Sequence, residues 1–367
     1  MSKDLSAMSD EELVAYIEHC DTMSIQNKIL QESLKVICNG EYGASGAPWY
    51  RFYNVFMAEA VTLSGQSTID AAQVFFTETL NQMTGIEKDR IAFVDTDSCG
   101  LIMTDVVNKL KPHMPDSSDT EVIKFLDRLG NTKFQDVMDK GFDELQRKQN
   151  AFKDALTMKR EKICNLITVA KKRYIAKTYV NEDVWYTDPD ISITGLESQR
   201  SDIPAVCRKW LEEAYGLLFE MDEQKVQSFI EAKKVEFMKI PVTEISVPKG
   251  VNDIEKYMVV GGKYRSGTTQ QAKAAIIFNR LIMEHKVADK YPPIKSGDKI
   301  RILPLKTPNP IREEVLGFSY ILPKEFQIDR YVDKLAIFEK TFKEPMNRVM
   351  ESIGWTADKK FSLDDFF

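Results

Sequence analysis

The sequence predicts an α+β protein that combines long helices with short antiparallel strands. Residues 90–103 carry two short apolar runs, residues 91–94 and 99–103, on either side of the polar residues 95–98. This pattern is typical of a β-hairpin with a polar turn. Apolar residues recur instead at helical spacing in residues 24–38, 203–218, 226–237 and 331–352. Helices and hairpin strands in separate stretches together indicate the α+β class.

Length and composition limit the classes of protein to consider. With 367 residues, of which 43% are hydrophobic, the chain can bury a large core and divide into two or three domains. Five cysteines without a C-x-x-C pair and three histidines indicate neither a zinc site nor a disulfide framework, which fits a reducing cytosol. No run approaches the roughly 18 apolar residues of a membrane span, and the N-terminus lacks a signal-peptide apolar region. We therefore expect a soluble intracellular protein.

The charge of the chain is distributed unevenly. Its net charge of −6 argues weakly against a nucleic-acid partner. Residues 151–180, however, carry eight Lys and Arg residues and two acidic residues, which leaves this stretch with a net charge of +6. A basic stripe thus exists within an acidic protein.

The N-terminal residues predict two helices. Ser9 and Glu12 form the S-x-x-E pattern of a capping box, which opens the first helix. The second helix is predicted at about residues 24–38. Its apolar stripe consists of Ile25, Ile29, Leu30, Leu34 and Ile37.

A polar row is predicted on another side of the second helix. Lys35, Asn39 and Tyr42 follow one another at i, i+4 and i+7 if the helix continues that far. They would then point an ammonium, an amide and a phenol at a common target. By itself, such a row is more often a solvated helix face.

Two carboxylates mark the predicted hairpin turn, whose sequence is DTDS. Asp95 and Asp97 are two residues apart, so an extended backbone would project both side chains to the same face. Like charges so close repel, and a divalent cation is the usual way to keep both ionised. An acidic surface turn explains the four residues equally well. A sugar-nucleotide site of the DxD type and a Ca²⁺ loop are further alternatives.

Motifs along the whole chain resemble those of family B DNA polymerases. Residues 35–43, KVICNGEYG, resemble the family's Kx3NSxYG motif, and the DTDS turn resembles its palm motif with two metal-binding aspartates. Residues 170–174, AKKRY, look like the KxY motif, followed by GLESQ at residues 195–199. Similarity to the thumb and C-terminus of the replicative polymerases of T-even-type bacteriophages covers residues 251–257, 303–306, 309–310 and 361–367.

The resemblance implies a fragment of a right-hand polymerase with an antiparallel palm sheet, partial helical fingers and a mainly helical thumb. The implied domains are the C-terminal part of the fingers at residues 1–47, the palm at 48–195, the thumb at 196–359 and a clamp-binding tail at 360–367. The family's exonuclease domain and palm motif A have no counterpart in the sequence. A split replicative polymerase, completed by an N-terminal polymerase chain, is therefore expected; a truncated fragment is the competing explanation. The implied location is the cytoplasm of the infected bacterial host.

The resemblance also implies metal-assisted phosphoryl transfer. The primer 3'-hydroxyl would attack the α-phosphate of an incoming deoxynucleoside triphosphate, with two Mg²⁺ ions shared between this chain and its partner. Asp95 and Asp97 would be the catalytic metal ligands, and Asp95 ranks slightly above Asp97. Thr96 and Ser98 would orient the turn.

The implied nucleotide-binding residues lie in the first motif. Lys35 would meet the triphosphate, and Asn39 would support it. Tyr42 and Gly43 would form the floor under the nascent base pair. This sequence departs from the family pattern immediately after Asn39: a Gly replaces the usual Ser, and a Glu replaces a common Leu.

The implied primer-binding residues lie in and before the KxY motif. Lys172 and Tyr174 are predicted to alternate with Arg173 along a strand and to face the primer together. Lys171 and Arg173 would bind phosphates without sequence preference. Glu161 would lie near the primer by analogy. A basic edge strand is the structural alternative.

In the C-terminal part, turns are predicted at residues 248–250 and 261–263 and a strand at 299–305. Residues 263–269 are either a thumb segment that follows the duplex backbone or a surface loop.

The tail would expose three large apolar side chains. They either fold back on the thumb or, as the resemblance implies, bind the sliding clamp. The residues are Leu363, Phe366 and Phe367.

The sequence therefore predicts that the protein is a subunit of a DNA-directed DNA polymerase that acts on primer-template DNA. The alternative is a non-catalytic DNA-binding or clamp-tethering subunit that keeps the fold, and a non-polymerase metal enzyme is a distant third. The DTDS turn, Lys35 and the KxY residues argue against tethering, since that role needs no paired carboxylates.

Overall fold

Two units make up the chain, residues 1–159 and residues 160–367. The computed structural model describes residues 5, 8–114, 118–153, 155–259 and 261–358. Both units combine helices with antiparallel strands, which confirms the α+β class. None of the helices within these residues is both long and apolar enough to cross a membrane.

The first helix, α1 (Asp10–Ser45), is continuous over 36 residues. The Ser9 side chain accepts a hydrogen bond from the Glu12 N–H, and the Glu12 carboxylate accepts one from the Ser9 N–H at 2.9 Å. These bonds confirm the predicted capping box. The prediction of a separate helix beginning near residue 24 is wrong. Residues 10–39 contain neither Gly nor Pro, so nothing in the sequence ends the first helix.

The rest of unit 1 is a helical bundle with one hairpin. A π-helical turn at Gly130–Phe134 connects the last two helices without a break. The elements after α1 are α2 (Val55–Thr84), β1 (Ile91–Asp95), β2 (Ser98–Leu101), α3 (Thr104–Leu110), α4 (Asp119–Leu129) and α5 (Gln135–Lys148).

The packing of α2 against α5 forms the core of unit 1. The core buries one face of each helix. A close approach occurs at Gly141 of α5, where an added Cβ atom would lie 2.4 Å from the ring of Phe75 in α2. The buried core residues are Ala72, Phe76, Leu80, Val106, Phe134, Met138 and Phe142.

Unit 2 begins with a three-stranded antiparallel meander and continues into helices packed around a second sheet. A π-helical turn at Glu339–Lys343 joins its last two helices. Its elements are β3 (Lys162–Ala170), β4 (Arg173–Asn181), β5 (Val184–Thr194), α6 (Ala205–Leu218), α7 (Glu223–Phe237), α8 (Val242–Ile245), β6 (Val247–Gly250), α9 (Ile254–Tyr257), β7 (Met258–Val259), β8 (Lys263–Tyr264), α10 (Gln270–Glu284), β9 (Lys299–Pro304), β10 (Val315–Phe318), α11 (Lys334–Phe338) and α12 (Glu344–Ser352).

The second sheet has the order β10–β9–β6, with β9 in the centre. It confirms the predicted strand at residues 299–305 within one residue. The predicted turn at residues 248–250 is wrong, because these residues belong to β6 and pair with β9. Pro248 is tolerated there because β6 is an edge strand, where a missing N–H need not break the sheet.

Helix positions in unit 2 agree with the sequence pattern. The helices predicted at residues 203–218 and 226–237 begin within three residues of the expected positions and end where expected. The stretch predicted as 331–352 is helical from Lys334 onward. The predicted domain boundaries stay a prediction. The first unit ends at residue 159 of the sequence, inside the stretch assigned to the palm.

Replacing Gly141 with Ala should destabilise unit 1, because the new methyl group forces the Phe75 ring to move. We expect the free energy of unfolding, measured by urea denaturation with circular dichroism, to fall by about 1–2 kcal/mol. Gly65 in α2 is the matched control, since nothing lies within 4 Å of an added Cβ atom there. Gly65→Ala should raise stability by up to about 1 kcal/mol. Equal effects of the two substitutions would contradict the close approach.

Candidate functional site

The DTDS turn joins β1 and β2 as a two-residue hairpin loop. Asp95 pairs with Ser98, which leaves Thr96 and Asp97 in the loop. The Asp97 N–H donates to the Asp95 carbonyl at 2.8 Å, and the Ser98 hydroxyl donates to the same oxygen at 3.2 Å. The Thr96 hydroxyl donates to the Asp95 carboxylate at 3.2 Å. Both hydroxyl groups of the motif therefore hold Asp95.

The backbone of this turn corrects one step of the sequence argument. Thr96 has φ = 60°, in the left-handed region that a β-branched residue rarely adopts. The backbone from Asp95 to Asp97 is therefore not extended, and the reasoning that placed both carboxylates on one face is wrong. Asp95 ends β1 and is half-buried, whereas Asp97 is in the loop and exposed. The two carboxylates have different surroundings.

Close cross-strand packing fixes the hairpin behind the turn. Phe93 of β1 is paired with Gly100 of β2. A Cβ atom added at Gly100 would lie 2.3 Å from the Phe93 ring. The ring therefore occupies the space above the glycine, and any larger residue at position 100 would displace it.

A buried arginine anchors the start of β1. Arg90 is completely inaccessible to solvent. Its guanidinium donates to Asn81 at 2.7 Å, to the Thr84 hydroxyl at 2.5 Å and to the Ile86 carbonyl at 2.7 Å. It also forms an ion pair with Asp105 of α3. One side chain thus connects the end of α2, the first strand of the hairpin and the helix that follows it.

The Asp105 carboxylate forms ion pairs with two cationic side chains. Lys88 contacts the same carboxylate oxygen as Arg90, at 2.6 Å. The hydrogen bonds from Lys88 and Arg90 lower the pKa of Asp105 below its ordinary value. The carboxylate therefore stays ionised under neutral conditions and balances the buried guanidinium.

The carboxylates of the turn are ligands of the type that a hard divalent cation prefers. Mg²⁺ prefers oxygen ligands such as those of Asp95 and Asp97. Within the described residues, no group of three or more Asp, Glu, His or Cys side chains lies close enough together to hold a metal ion.

The predicted nucleotide-binding row lies on α1. Because α1 is continuous, Lys35, Asn39 and Tyr42 fall within about 60° of its circumference at 100° per residue. The three residues are exposed. Gly43 also belongs to α1, and an added Cβ atom there would meet nothing within 4 Å. The row is therefore open to a ligand.

The KxY motif forms a second hairpin turn, in unit 2. Ala170 pairs with Arg173, so Lys171 and Lys172 form a two-residue loop between β3 and β4. Lys172 has φ = 58°. The prediction that Lys172 alternates with Tyr174 along one strand is wrong, because Lys172 lies in the loop and β4 begins at Arg173. The two lysines are presented at the tip of the hairpin.

An ion-pair cluster holds the base of this second turn. The Arg173 guanidinium donates to both carboxylate oxygens of Glu197, at 2.7 and 2.8 Å. Arg348 of α12 donates to the same carboxylate at 3.1 Å. Glu197 is buried, and Gly195 packs against the Lys172 carbonyl, to which an added Cβ would approach within 2.3 Å. The arginine assigned to primer phosphates is thus engaged within the protein.

Glu161 lies at the other end of the same hairpin. It immediately precedes β3, whereas Lys171 follows the end of that strand. Ten residues of extended chain separate them by roughly 30 Å. The structure therefore does not bring Glu161 together with the KxY turn.

The clamp-binding residues predicted in the tail, Leu363, Phe366 and Phe367, lie outside the described residues.

Two residues that position these turns were missed by the sequence analysis, Arg90 and Glu197. A charged residue next to an apolar strand was the only local signal at Arg90. Glu197 lies within the GLESQ stretch, but its partners are 24 and 151 residues away.

The sequence of residues 18–335 matches the family model of DNA polymerase family B. The chain belongs to this family.

Family B relatives are similar to the chain over nearly all of its length. It is 28% identical to the DNA-directed DNA polymerase of Enterobacteria phage T4, over 99% of this chain and 41% of the relative. It is 26% identical to that of Escherichia phage RB69, over 100% of this chain and 41% of the relative. DNA polymerase 2 of Aeropyrum pernix is 24% identical, over 84% of this chain and 30% of the relative. The chain thus spans about two fifths of the length of its phage relatives, and the resemblance to phage family B polymerases is confirmed.

Asp105 should make the stability of this family B chain depend on pH. Its pKa is lower in the folded protein than in the unfolded chain, so its stabilising effect is present above about pH 4 and is lost as the pH falls through the folded value. Asp105→Asn should therefore lower the free energy of unfolding at pH 7. We expect the difference from wild type, measured by urea denaturation, to shrink as the pH is lowered below about 4. A difference that does not change with pH would contradict the charge-balancing role.

Proposed function

We propose that the chain is the part of a DNA-directed DNA polymerase that carries the acidic turn of the palm and adds deoxynucleotides to a primer 3' end. The observation that carries this proposal is the Asp95–Asp97 turn, which a fully buried arginine fixes to two helices in a family B chain. An ordinary acidic surface turn needs no such anchor.

Different roles follow for the two carboxylates. Asp95 is held by the hydroxyl groups of Thr96 and Ser98, so it would offer oxygens in a fixed position. Asp97 is exposed in the loop and would be the more variable ligand. When bound, Mg²⁺ ions would polarise the attacking hydroxyl and balance the charge that develops on the phosphate oxygens.

The remaining residues of the chain would position the substrates. Lys35 on α1 would bind the triphosphate, with Asn39 beside it, and Tyr42 and Gly43 would contact the nascent base pair. Lys171 and Lys172 at the tip of the second hairpin would bind primer phosphates. Arg173 would support this turn through its ion pair with Glu197. Tyr174 would remain next to the primer.

The polymerase would be completed by sequence that these 367 residues do not contain. The phage relatives are more than twice as long as the aligned region. We propose that the remaining part supplies the exonuclease and the palm motif A carboxylate, as the sequence resemblance implies. A non-catalytic tethering subunit is the alternative that the next experiment separates.

Asp95→Asn should abolish primer extension by the chain combined with the remaining polymerase sequence, because it removes the held metal ligand. Primer-template binding, measured by fluorescence anisotropy, should stay within about threefold of wild type. Incorporation of deoxynucleotides with Mg²⁺ should fall by at least about 10³-fold.

The matched control is Asp183→Asn. Glu182 and Asp183 form another two-residue acidic turn, closed by the pair Asn181 and Val184, and Glu182 also has a positive φ of 51°. This variant should extend primers like wild type. Normal extension by Asp95→Asn would remove the DTDS turn from the active site. DNA binding without extension by the wild-type mixture would favour the tethering subunit.

For the tail, we propose that Leu363, Phe366 and Phe367 bind the sliding clamp. This proposal is supported only by the sequence resemblance. Deletion of Phe366 and Phe367 should shorten the primer-extension products when the clamp is loaded and leave synthesis without the clamp unchanged. An equal loss in both reactions would favour a tail that folds back on the thumb.

A further inference from the structure

An open pocket of about 630 Å³ lies in unit 2, at the end of α7 and the start of α11. Residues 238–243, which follow α7, form one wall of the pocket. Residues between 329 and 335 form another wall together with Lys306, which lies two residues after β9. We call this cavity the α7–α11 pocket. None of the residues in the proposed nucleotide and primer sites lines it, so it is a candidate for a separate role.

The α7–α11 pocket combines positive charge with apolar surface. Four cationic side chains and one carboxylate line it, which leaves a net charge of +3. Most of the remaining wall is apolar, and its Met238 and Leu335 are 36% and 44% exposed. A segment with acidic and apolar side chains next to each other would match both properties. The charged residues are Lys239, Lys306, Arg330, Lys334 and Asp329.

The described chain ends between α7 and the last helices, α11 and α12. These helices pack against α7 through the rings of Phe237 and Phe338, whose centres are 5.4 Å apart. The Asp358 carbonyl accepts a hydrogen bond from Gln227 of α7 at 3.1 Å. The Asp358 carboxylate contacts Lys343 at 2.8 Å. Asp358 is therefore held from both sides.

Helical spacing relates this end point to the pocket. Gln227 and Met238 are 11 residues apart, which is about three turns, so they share one side of α7. Lys343 contacts Glu339 at 3.5 Å, and Leu335 is one further turn away on the same side. Met238 and Leu335 both line the pocket. Eight residues of helix rise about 12 Å, so the pocket begins roughly that far from Lys343.

We propose that the α7–α11 pocket binds residues 363–367 of the same chain, LDDFF. The sequence continues past Asp358 as KKFSLDDFF. An extended chain covers about 3.3 Å per residue, so about four residues span the distance to the pocket. The LDDFF segment is therefore the part of the sequence that reaches it.

The order of charges along the segment matches the order of charges along this route. The two lysines after Asp358 would pass Glu231 of α7 and Glu339, which lie on the two sides of the route. The two aspartates of LDDFF would then meet Lys239 and Lys306, whose side chains are exposed. The leucine and the two phenylalanines would cover the apolar wall and so be removed from water.

The docking itself does not rest on the proposed function, but it bears on the proposed clamp binding. Both interactions would use the same leucine and phenylalanine side chains, so the pocket and the clamp would exclude each other. The pocket would hold the segment while no clamp is bound.

Photocross-linking in the full 367-residue chain tests the docking. The photoreactive amino acid p-benzoylphenylalanine replaces Phe366, and mass spectrometry maps the residues to which it is joined after irradiation. We expect it to react with residues 238–243 or 329–335 of the same molecule. The pocket pair, Lys239→Glu with Lys306→Glu, should lower the yield at these residues by at least about tenfold, because like charges then face the segment.

The matched control is the pair Lys209→Glu with Lys324→Glu, which makes the same change of charge at exposed positions outside the pocket. It should change the yield by less than about twofold. Adding Asp364→Lys and Asp365→Lys to the pocket pair should restore at least about half of the wild-type yield. A pocket that the first two substitutions had merely damaged would not recover in this way.

Wild-type products only at other residues, or equal effects of the two lysine pairs, would overturn the proposal. So would a cross-linked dimer in place of the intramolecular product, since a second copy would then supply the segment. Absence of the pocket product, together with weaker primer-template binding by the pocket pair, would assign the pocket to nucleic acid instead.

Saturating clamp separates the docking from the proposed clamp binding. The yield of the pocket product should fall as the clamp binds. If the yield stays constant, the clamp proposal is wrong and the docking stands. If the product never forms but deletion of Phe366 and Phe367 still shortens the clamp-dependent products, the docking is wrong and the clamp proposal stands.

Discussion

The position of the DTDS turn depends on the buried guanidinium of Arg90. A fully buried cation is costly unless ionic and hydrogen-bonding partners compensate for its lost hydration. Arg90 meets this requirement with partners from the end of α2, the loop after it and α3. Because it directly precedes β1, its position sets the start of the strand whose last residue is Asp95. The acidic turn is therefore anchored by a polar contact made at the opposite end of the strand.

The second turn is supported by the same physical means in a different arrangement. Glu197 is a buried anion between two arginines, as Arg90 is a buried cation beside an aspartate. The Arg90 cluster lies at the open end of its hairpin, whereas the Glu197 cluster lies beside the pair that closes the Lys171–Lys172 loop. In each hairpin the two-residue loop includes a non-glycine residue with positive φ. The conformation alone does not mark a functional site, because the Glu182 turn shares it. The Arg90 and Glu197 clusters each include a buried ion pair, and fully satisfied buried polar networks rigidify the structure around them.

Local patterns predicted the elements well and their connections less well. The Ser9 capping box and the helices ending at Leu218 and Phe237 follow from spacing and caps, which act over a few residues. The conformations of Thr96 and Lys172 could not be predicted in this way, because hairpin pairing forces these residues into positive φ. The local sequence around Pro248 predicts a turn. Pairing with β9, about 50 residues later in the chain, makes Pro248 part of an edge strand instead. Pairing between strands, either across a two-residue loop or over about 50 residues, decided each of these cases.

The exposed state of α1 bears directly on how the candidate site would work. Its own unit buries no residue of this helix, so packing within the chain contributes little to its position. The helix nevertheless carries the row that would meet the triphosphate, and catalysis requires such groups to be held within fractions of an ångström. Contacts from outside this helix would have to supply that constraint. Under the proposed function, the position of Lys35 would therefore depend on contacts that α1 does not make within its own unit.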